Sequence, residues 1–185
     1  MTMSQTPLLL SRILGRGAQL DPNEEIVTLM ANGTHRQTLK ATWDRANQLA
    51  AALKAHGIKE GDRVASFMWN NYRHLELYQA VPSMGAVLHT LNIRLGPADL
   101  EYIINHAQDR IIFADEDLLP LLEPLLDKMP SVEKIIICRH GEEGETGFAC
   151  TEDYEAFIGS HPTDFDWPDI NENAPMGLCY TSGTT

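Results

Sequence analysis

The chain has 185 residues, 43% of them hydrophobic and 22% charged, which supports a domain with a real core and excludes disordered or fibrous structure. Its 14 basic residues stand against 26 acidic ones, a formal charge of −12. That balance, with no basic stripe interleaved with aromatics, excludes a nucleic-acid partner but not a small phosphate ligand, which needs only local amides, hydroxyls and a metal ion.

In chain order, Leu9, Leu10, Ile13 and Leu14 share one face of a first helix docked on the core, with a membrane-touching or dimer-forming arm as the alternative. Ile26–Leu29 reads as a strand, Asn32-Gly33 as a turn and Arg36–Leu39 as the returning strand of a hairpin. A helix is expected from Thr42, capped by its hydroxyl, with Trp43, Ala46, Ala50 and Leu53 on the buried stripe and Gly57 as the stop. Val64–Met68 is an apolar run of strand length. Asn70-Asn71 then caps a helix carrying Leu75, Tyr78, Val81 and Met84, with a kink expected at Pro82.

Ala86–Leu88 is a further strand, and Gly96-Pro97 opens a helix with Leu100, Ile103, Ile104 and Ala107 on one face. Ile111–Phe113 is a buried strand. Leu118, Leu122, Leu125 and Met129 line a helix disturbed at Pro124, and Ile135–Ile137 is another continuous apolar run. Residues 141–147 read as an acidic surface loop, Thr151–Ile158 as a short helix, Asp164–Asn173 as an extended surface segment and Met176–Tyr180 as a last strand. Strands apolar on both faces, alternating with amphipathic helices, predict an α/β fold with a mainly parallel sheet flanked by helices.

Cys138, Cys150 and Cys179 have no CxxC or other ligand spacing and fit a reducing compartment; Cys138 and Cys179 read as small core residues. Leu8-Leu9-Leu10 is broken at once by Ser11-Arg12, and no stretch approaches the roughly 20 apolar residues of a bilayer span. A cytoplasmic protein with no transmembrane segment is expected.

Open parallel sheets bind ligands at the carboxyl ends of their strands. The last predicted strand runs into Thr181-Ser182-Gly183-Thr184-Thr185, four hydroxyls around one glycine. Glycine lets the backbone approach an anion closely, amides can point at phosphate oxygens, and a hydroxyl can donate to phosphate or coordinate a cation. The run is not a Walker A loop, which requires G-x-x-x-x-G-K-[ST]. On the residues alone, a flexible terminus competes with a phosphate site.

The segment Glu172 to Thr185, ending Cys179-Tyr180-Thr181-Ser182-Gly183-Thr184-Thr185, resembles the signature opening of the AMP-forming, adenylate-forming superfamily. The superfamily pattern continues with Gly-x-Pro-Lys-Gly, which these residues do not include. Gly61-Asp62-Arg63-Val64-Ala65 is similar to its first core strand. His74–Tyr78 and Gly85–Leu95 are similar to its fatty acyl-CoA ligase branch, and the likeness runs from about Leu39 onward.

The resemblance implies residues 1–185 as the N-terminal α/β portion of the AMP-binding domain, cut inside the phosphate-binding loop. It implies activation of a fatty acid by Mg-ATP to an acyl-adenylate, then transfer to coenzyme A. By motif position Ser182, Gly183, Thr184 and Thr185 would cradle the β- and γ-phosphates, and Thr181 would stand near Mg²⁺. ATP, Mg²⁺ and coenzyme A are the implied cofactors and a fatty acid the implied substrate, and a homodimer is compatible with the family. The remaining machinery lies downstream, so residues 1–185 alone are expected to be inactive. The alternatives are an adenylating enzyme with another acceptor, such as a luciferase or carrier-protein ligase, and a non-enzymatic α/β binding module.

Other polar residues read as structural. Asp115 follows a strand but no G-x-G-x-x-G precedes it, so helix capping or solvation is expected. The seven histidines show no ligand spacing; His56 and His106 read as helix-end residues, and His89 is held open. Asn92 and Arg94 are expected to set a turn, and the Glu142-Glu143-Glu145 cluster to be a solvated charge run.

Overall fold

The computed structural model describes residues 6–31, 33–140 and 151–181. The turn residue Asn32, the acidic cluster at 142–145 and Cys150 therefore lie outside the described residues. After helix α1 (Leu10–Leu20), strands β1 (Glu25–Met30) and β2 (Gly33–Thr38) pair antiparallel as the expected hairpin, with Val27 opposite Arg36.

Helix α2 (Leu39–Ala55) starts earlier than the sequence suggested, and Thr38, not Thr42, is its cap. The Thr38 backbone is extended, so its hydroxyl can turn inward and accept from Ala41 N–H at 3.1 Å. Thr42 is already helical; its hydroxyl donates to the Thr38 carbonyl at 3.1 Å. Ala46, Ala50 and Leu53 form the buried stripe, and Gly57, with φ at +94°, follows the helix end.

Strands β3 (Arg63–Phe67), β4 (Val87–Thr90), β5 (Ile111–Asp115) and β6 (Lys134–Cys138) come from the predicted apolar runs. Between β3 and β4 lies α3 (Tyr72–Ser83), capped by Asn71 Oδ1, which accepts from Arg73 N and His74 N. Tyr78, expected on the buried stripe of α3, is 44% exposed, while Glu76, Leu77, Gln79 and Ala80 are buried. Packing against α1 and α2 as well as the sheet buries most of this helix, so periodicity misjudged its face. Pro82 sits one residue before the end of α3.

Helix α4 (Pro97–Ala107) ends at Gln108, the one described non-glycine residue with positive φ, at 57°. The predicted helix over 118–129 is instead a 3₁₀ turn (Glu116–Leu118), one α-turn, α5 (Leu119–Leu122), and a second 3₁₀ stretch (Glu123–Lys128). Pro120 and Pro124 each withhold a backbone N–H, which a continuous helix would require. The Thr151–Ile158 helix also needs correction. Thr151–Asp153 is a strand, β7, and only Tyr154–Gly159 is helical, as α6. Asp153 separates them, accepting from Glu155 N at 2.8 Å and Ala156 N at 3.4 Å. Residues 164–173 carry no helix or strand, as expected, though Phe165 and Trp167 pack on the core.

With the last strand, β8 (Gly177–Leu178), the main sheet has the order β7-β6-β5-β3-β4-β8, every pairing parallel. The chain leaves β3 toward β4 and then crosses back to the other side of β3 for β5. Alternate residues of each strand serve opposite faces. Ile111 and Phe113 join Leu49, Leu53, Leu77 and Tyr154 on one side; Ile112 and Ala114 join Leu100, Ile104 and Leu122 on the other. No described helix is long and apolar enough to cross a membrane.

One polar network crosses the first of these layers. The Glu76 carboxylate, fully buried, accepts from Arg45 Nε at 2.7 Å, Gln37 Nε2 at 3.1 Å and the Tyr154 hydroxyl at 2.6 Å. Arg45 also reaches Glu155 at 2.7 Å, and Glu155 accepts from Arg73 at 2.9 Å. The network joins β2, α2, α3 and α6 and leaves Glu76 with three partners, as a buried carboxylate requires.

Candidate functional site

The signature segment enters the fold as the edge strand β8, shorter than the five residues expected. Gly177 pairs with Leu88 and Leu178 with His89, and Leu88 N donates to the Met176 carbonyl at 3.1 Å. Beyond Leu178, side chains hold the segment. Cys179 Sγ lies 3.2 Å from Thr90 Oγ1, and the Tyr180 hydroxyl lies 2.5 Å from His106 Nδ1. Cys179 is exposed, not a core residue; it stands where β8 has already ended, whereas Cys138 inside β6 is fully buried. Burial pushes the Cys138 thiol up, so it is an inert packing group.

Thr181 is exposed at the carboxyl end of the sheet, where a ligand of an open parallel sheet is expected. Of the five predicted phosphate-binding residues it alone is described; Ser182, Gly183, Thr184 and Thr185 lie outside the described residues.

Beside this segment sits a buried polar pair that the sequence only half revealed. His89 on β4 and Asp109, just past α4, are both fully buried, with Nδ1 and Oδ2 2.7 Å apart. Burial raises the Asp109 carboxyl, and the hydrogen bond to His89 and the charge of Arg63 oppose that rise. His89 stood out by its place in a resembling segment. Asp109 did not, because an acidic residue after a helix ordinarily reads as solvated.

A second group lies at the carboxyl ends of β3 and β5, where the strand order reverses. Asp115 is fully buried and accepts from Trp69 N at 2.7 Å and Asn71 Nδ2 at 3.2 Å. This corrects the sequence expectation of helix capping or solvation: its side chain caps no helix and is buried, because strand β5 carries it into the sheet's end. His140 Nε2 is 3.7 Å from Asp115 Oδ1 and from Asp117 Oδ1, and Trp69 Nε1 donates to Asp117 Oδ2 at 2.9 Å. Asp115, Asp117 and His140 thus bring three ligand-type atoms within 4.8 Å of one another, a geometry able to hold a cation. Asn92 sets its turn as predicted, accepting from Arg94 N at 3.0 Å.

Residues 15–185 match the family described as AMP-binding enzyme. A long-chain-fatty-acid–CoA ligase of Thermus thermophilus is 39% identical over 185 residues, covering 100% of this chain and 33% of its own length. A 3-methylmercaptopropionyl-CoA ligase of Ruegeria lacuscaerulensis is 38% identical over 188 residues, covering 99% of this chain and 34% of its own. The chain thus spans about a third of the length of the curated relatives it matches. A crystal structure of an anthranilate CoA ligase in complex with anthranoyl-AMP superposes with a TM-score of 0.84 at 25% identity, covering 100% of this chain and 35% of that one. The fold, the strand that leads into the hydroxyl-rich segment and a family match across nearly all of its residues agree: this chain belongs to the AMP-binding enzyme family.

Proposed function

We propose that the full-length protein carrying this chain is an AMP-forming fatty acid–CoA ligase, with residues 1–185 as the N-terminal α/β portion of its AMP-binding domain. The observation that carries this reading is the course of β8, which ends at the carboxyl edge of a parallel sheet and delivers Thr181 there. The names of the curated relatives, acid–CoA ligases with substrates from 3-methylmercaptopropionate to long-chain fatty acids, support it.

In the reaction a carboxylate oxygen attacks the α-phosphorus of ATP, and the bond to pyrophosphate breaks. The thiol of coenzyme A then attacks the acyl carbonyl and AMP leaves. Charge accumulates on the pyrophosphate oxygens as they depart, and preorganised amides and hydroxyls stabilise it without reorganising. Ser182, Gly183, Thr184 and Thr185 are assigned this task on the β- and γ-phosphates. The exposed Thr181 hydroxyl is an oxygen donor suited to a hard cation, so it is assigned to Mg²⁺, which when bound neutralises phosphate charge. A cytoplasmic location and a homodimer belong to the same proposal.

ATP–pyrophosphate exchange by the full-length protein, with acids from acetate to palmitate, tests the first step, and CoA thioester formation the second. Exchange with fatty acids and thioester product are expected. A full-length protein that binds ATP but exchanges no pyrophosphate with any of these acids would refute the reading. Residues 1–185 alone are expected to form no acyl-CoA, and light scattering of the full-length protein is expected to give twice the monomer mass.

A further inference from the structure

The backbone ladder that holds the signature segment stops at Leu178, three residues short of Thr181. What orients the chain between them is side-chain contact, chiefly that of Tyr180. Its ring lies against the His89 imidazole, with centroids 5.2 Å apart and planes inclined at 45°, and meets His106 edge-on at 5.8 Å. Its hydroxyl reaches His106 Nδ1 at 2.5 Å, and His106 is itself stacked on Tyr102 at 5.5 Å. Burial first, then Asp109 and Tyr102, raises the Tyr180 phenol, so it keeps its proton and can donate to that imidazole nitrogen.

Beneath the ring, the His89–Asp109 pair is an expensive choice for an apolar layer. His89 stands opposite Ala65 in the ladder, on the sheet face of the apolar cluster that includes Leu100, Ile104 and Ile112, and His89 Nε2 and Asp109 Oδ1 are both buried without a hydrogen-bond partner. An apolar pair of similar volume would leave no such atoms. The hydrogen bond from Nδ1 to Asp109 does one thing an apolar pair cannot: it fixes the rotation of the imidazole and therefore the face offered to Tyr180.

We propose that Tyr180, seated on the buried His89–Asp109 pair and tied to His106, is a positioning residue that fixes the root of the phosphate loop and thereby sets the affinity for ATP. The inference rests on the ligase reading, since it assigns the following residues, Thr181 to Thr185, to ATP phosphates. A reacting group displaced by about 1 Å loses much of its effect, so the seat of the residue before Thr181 acts on the reaction without touching substrate.

The experiment is steady-state ATP–pyrophosphate exchange by the full-length protein, with ATP and acid varied separately and the thermal midpoint recorded for each variant. Tyr180→Phe keeps the ring and loses the hydroxyl. Loss of one hydrogen bond predicts a rise of about 2- to 10-fold in KM for ATP, with KM for the acid and the thermal midpoint unchanged. His106→Leu is expected to do the same, and His106→Gln, which retains a hydrogen-bonding end, to recover part of the loss. The double variant His89→Phe/Asp109→Leu replaces both polar partners, so it stays folded while losing the oriented ring; its KM for ATP is also expected to rise. Unchanged ATP parameters in Tyr180→Phe and in the double variant, or equal changes for ATP and acid, would overturn the positioning role and leave the ligase reading intact. No exchange by the unaltered protein would sink both together.

Discussion

The Tyr154 hydroxyl donates to Glu76 Oε2 at 2.6 Å, joining α6 to α3 across the interior. Both residues are fully buried. Tyr154→Phe removes a hydrogen bond to a charged group and should lower stability by about 1.5–3 kcal/mol. Glu76→Ala strips Arg45 of its buried partner and should lower it further, by about 3–5 kcal/mol. Urea denaturation of both variants checks the order. A Glu76→Ala protein as stable as Tyr154→Phe would mean that Arg45 finds other compensation.

Glu155 joins the same network from its half-exposed rim. Burial alone would raise its carboxyl, but hydrogen bonds and charge from Arg45 and then Arg73 outweigh burial and hold it below its ordinary value of 4.5. Its contribution to stability is present above pH 4.5 and is lost as pH falls through the lowered native value. Glu155→Gln should therefore be less stable than the parent at pH 7, with the gap closing toward pH 3. Thermal midpoints across that range test it, and a gap of constant size would contradict it.

Thr38→Ala should cost about 1 kcal/mol through the lost cap on α2, and Thr38→Asp should restore most of it. Urea midpoints of the two variants give the comparison. Equal loss in both would show that the side chain acts through some contact other than Ala41 N–H.

Asn71 has two tasks, capping α3 with its oxygen and donating to Asp115 with its amide nitrogen. Asn71→Asp keeps the cap but places a second carboxylate against Asp115. Burial already raises the Asp115 carboxyl above its ordinary value, so the two repel increasingly over the pH interval, extending upward from the ordinary carboxylate range, in which both become ionised. The loss of thermal midpoint relative to the parent should grow across that interval, and Asn71→Ala should show no comparable growth. A pH-independent loss in Asn71→Asp would rule out the repulsion.

The continuous apolar runs at Val64–Met68, Ile111–Phe113 and Ile135–Ile137 became parallel strands because fully buried strands carry no competing polar alternation. Two signals were less legible. Glu152 falls in the first turn of the helix expected over Thr151–Ile158, but it pairs with Lys134 across β6 and β7 at 2.7 Å, a partner eighteen residues away. Tyr78 was misplaced because α3 has neighbours on most sides, which period counting cannot see. At the candidate site, Thr181 was readable as chemistry, but its supports were not. His89, the pair His106 and Asp109, and Tyr180 come from three separate stretches, β4, the end of α4 and the segment after β8, and only the packing of α4 on this face of the sheet brings them together.

The parallel pairing of Leu88 with Gly177 also bears on the order of assembly. Strands β3 to β7 pair among residues 63–153 and need nothing from the signature segment. Strand β8 must close a long stretch of chain for two residues of ladder, so its docking recovers little of the closure entropy and comes late. During synthesis the sheet edge and the His89 platform can therefore be in place before residues 177–181 leave the ribosome. Strand β8 then docks on a finished surface, and mutations that weaken only β8 should leave the folding rate of the rest unchanged.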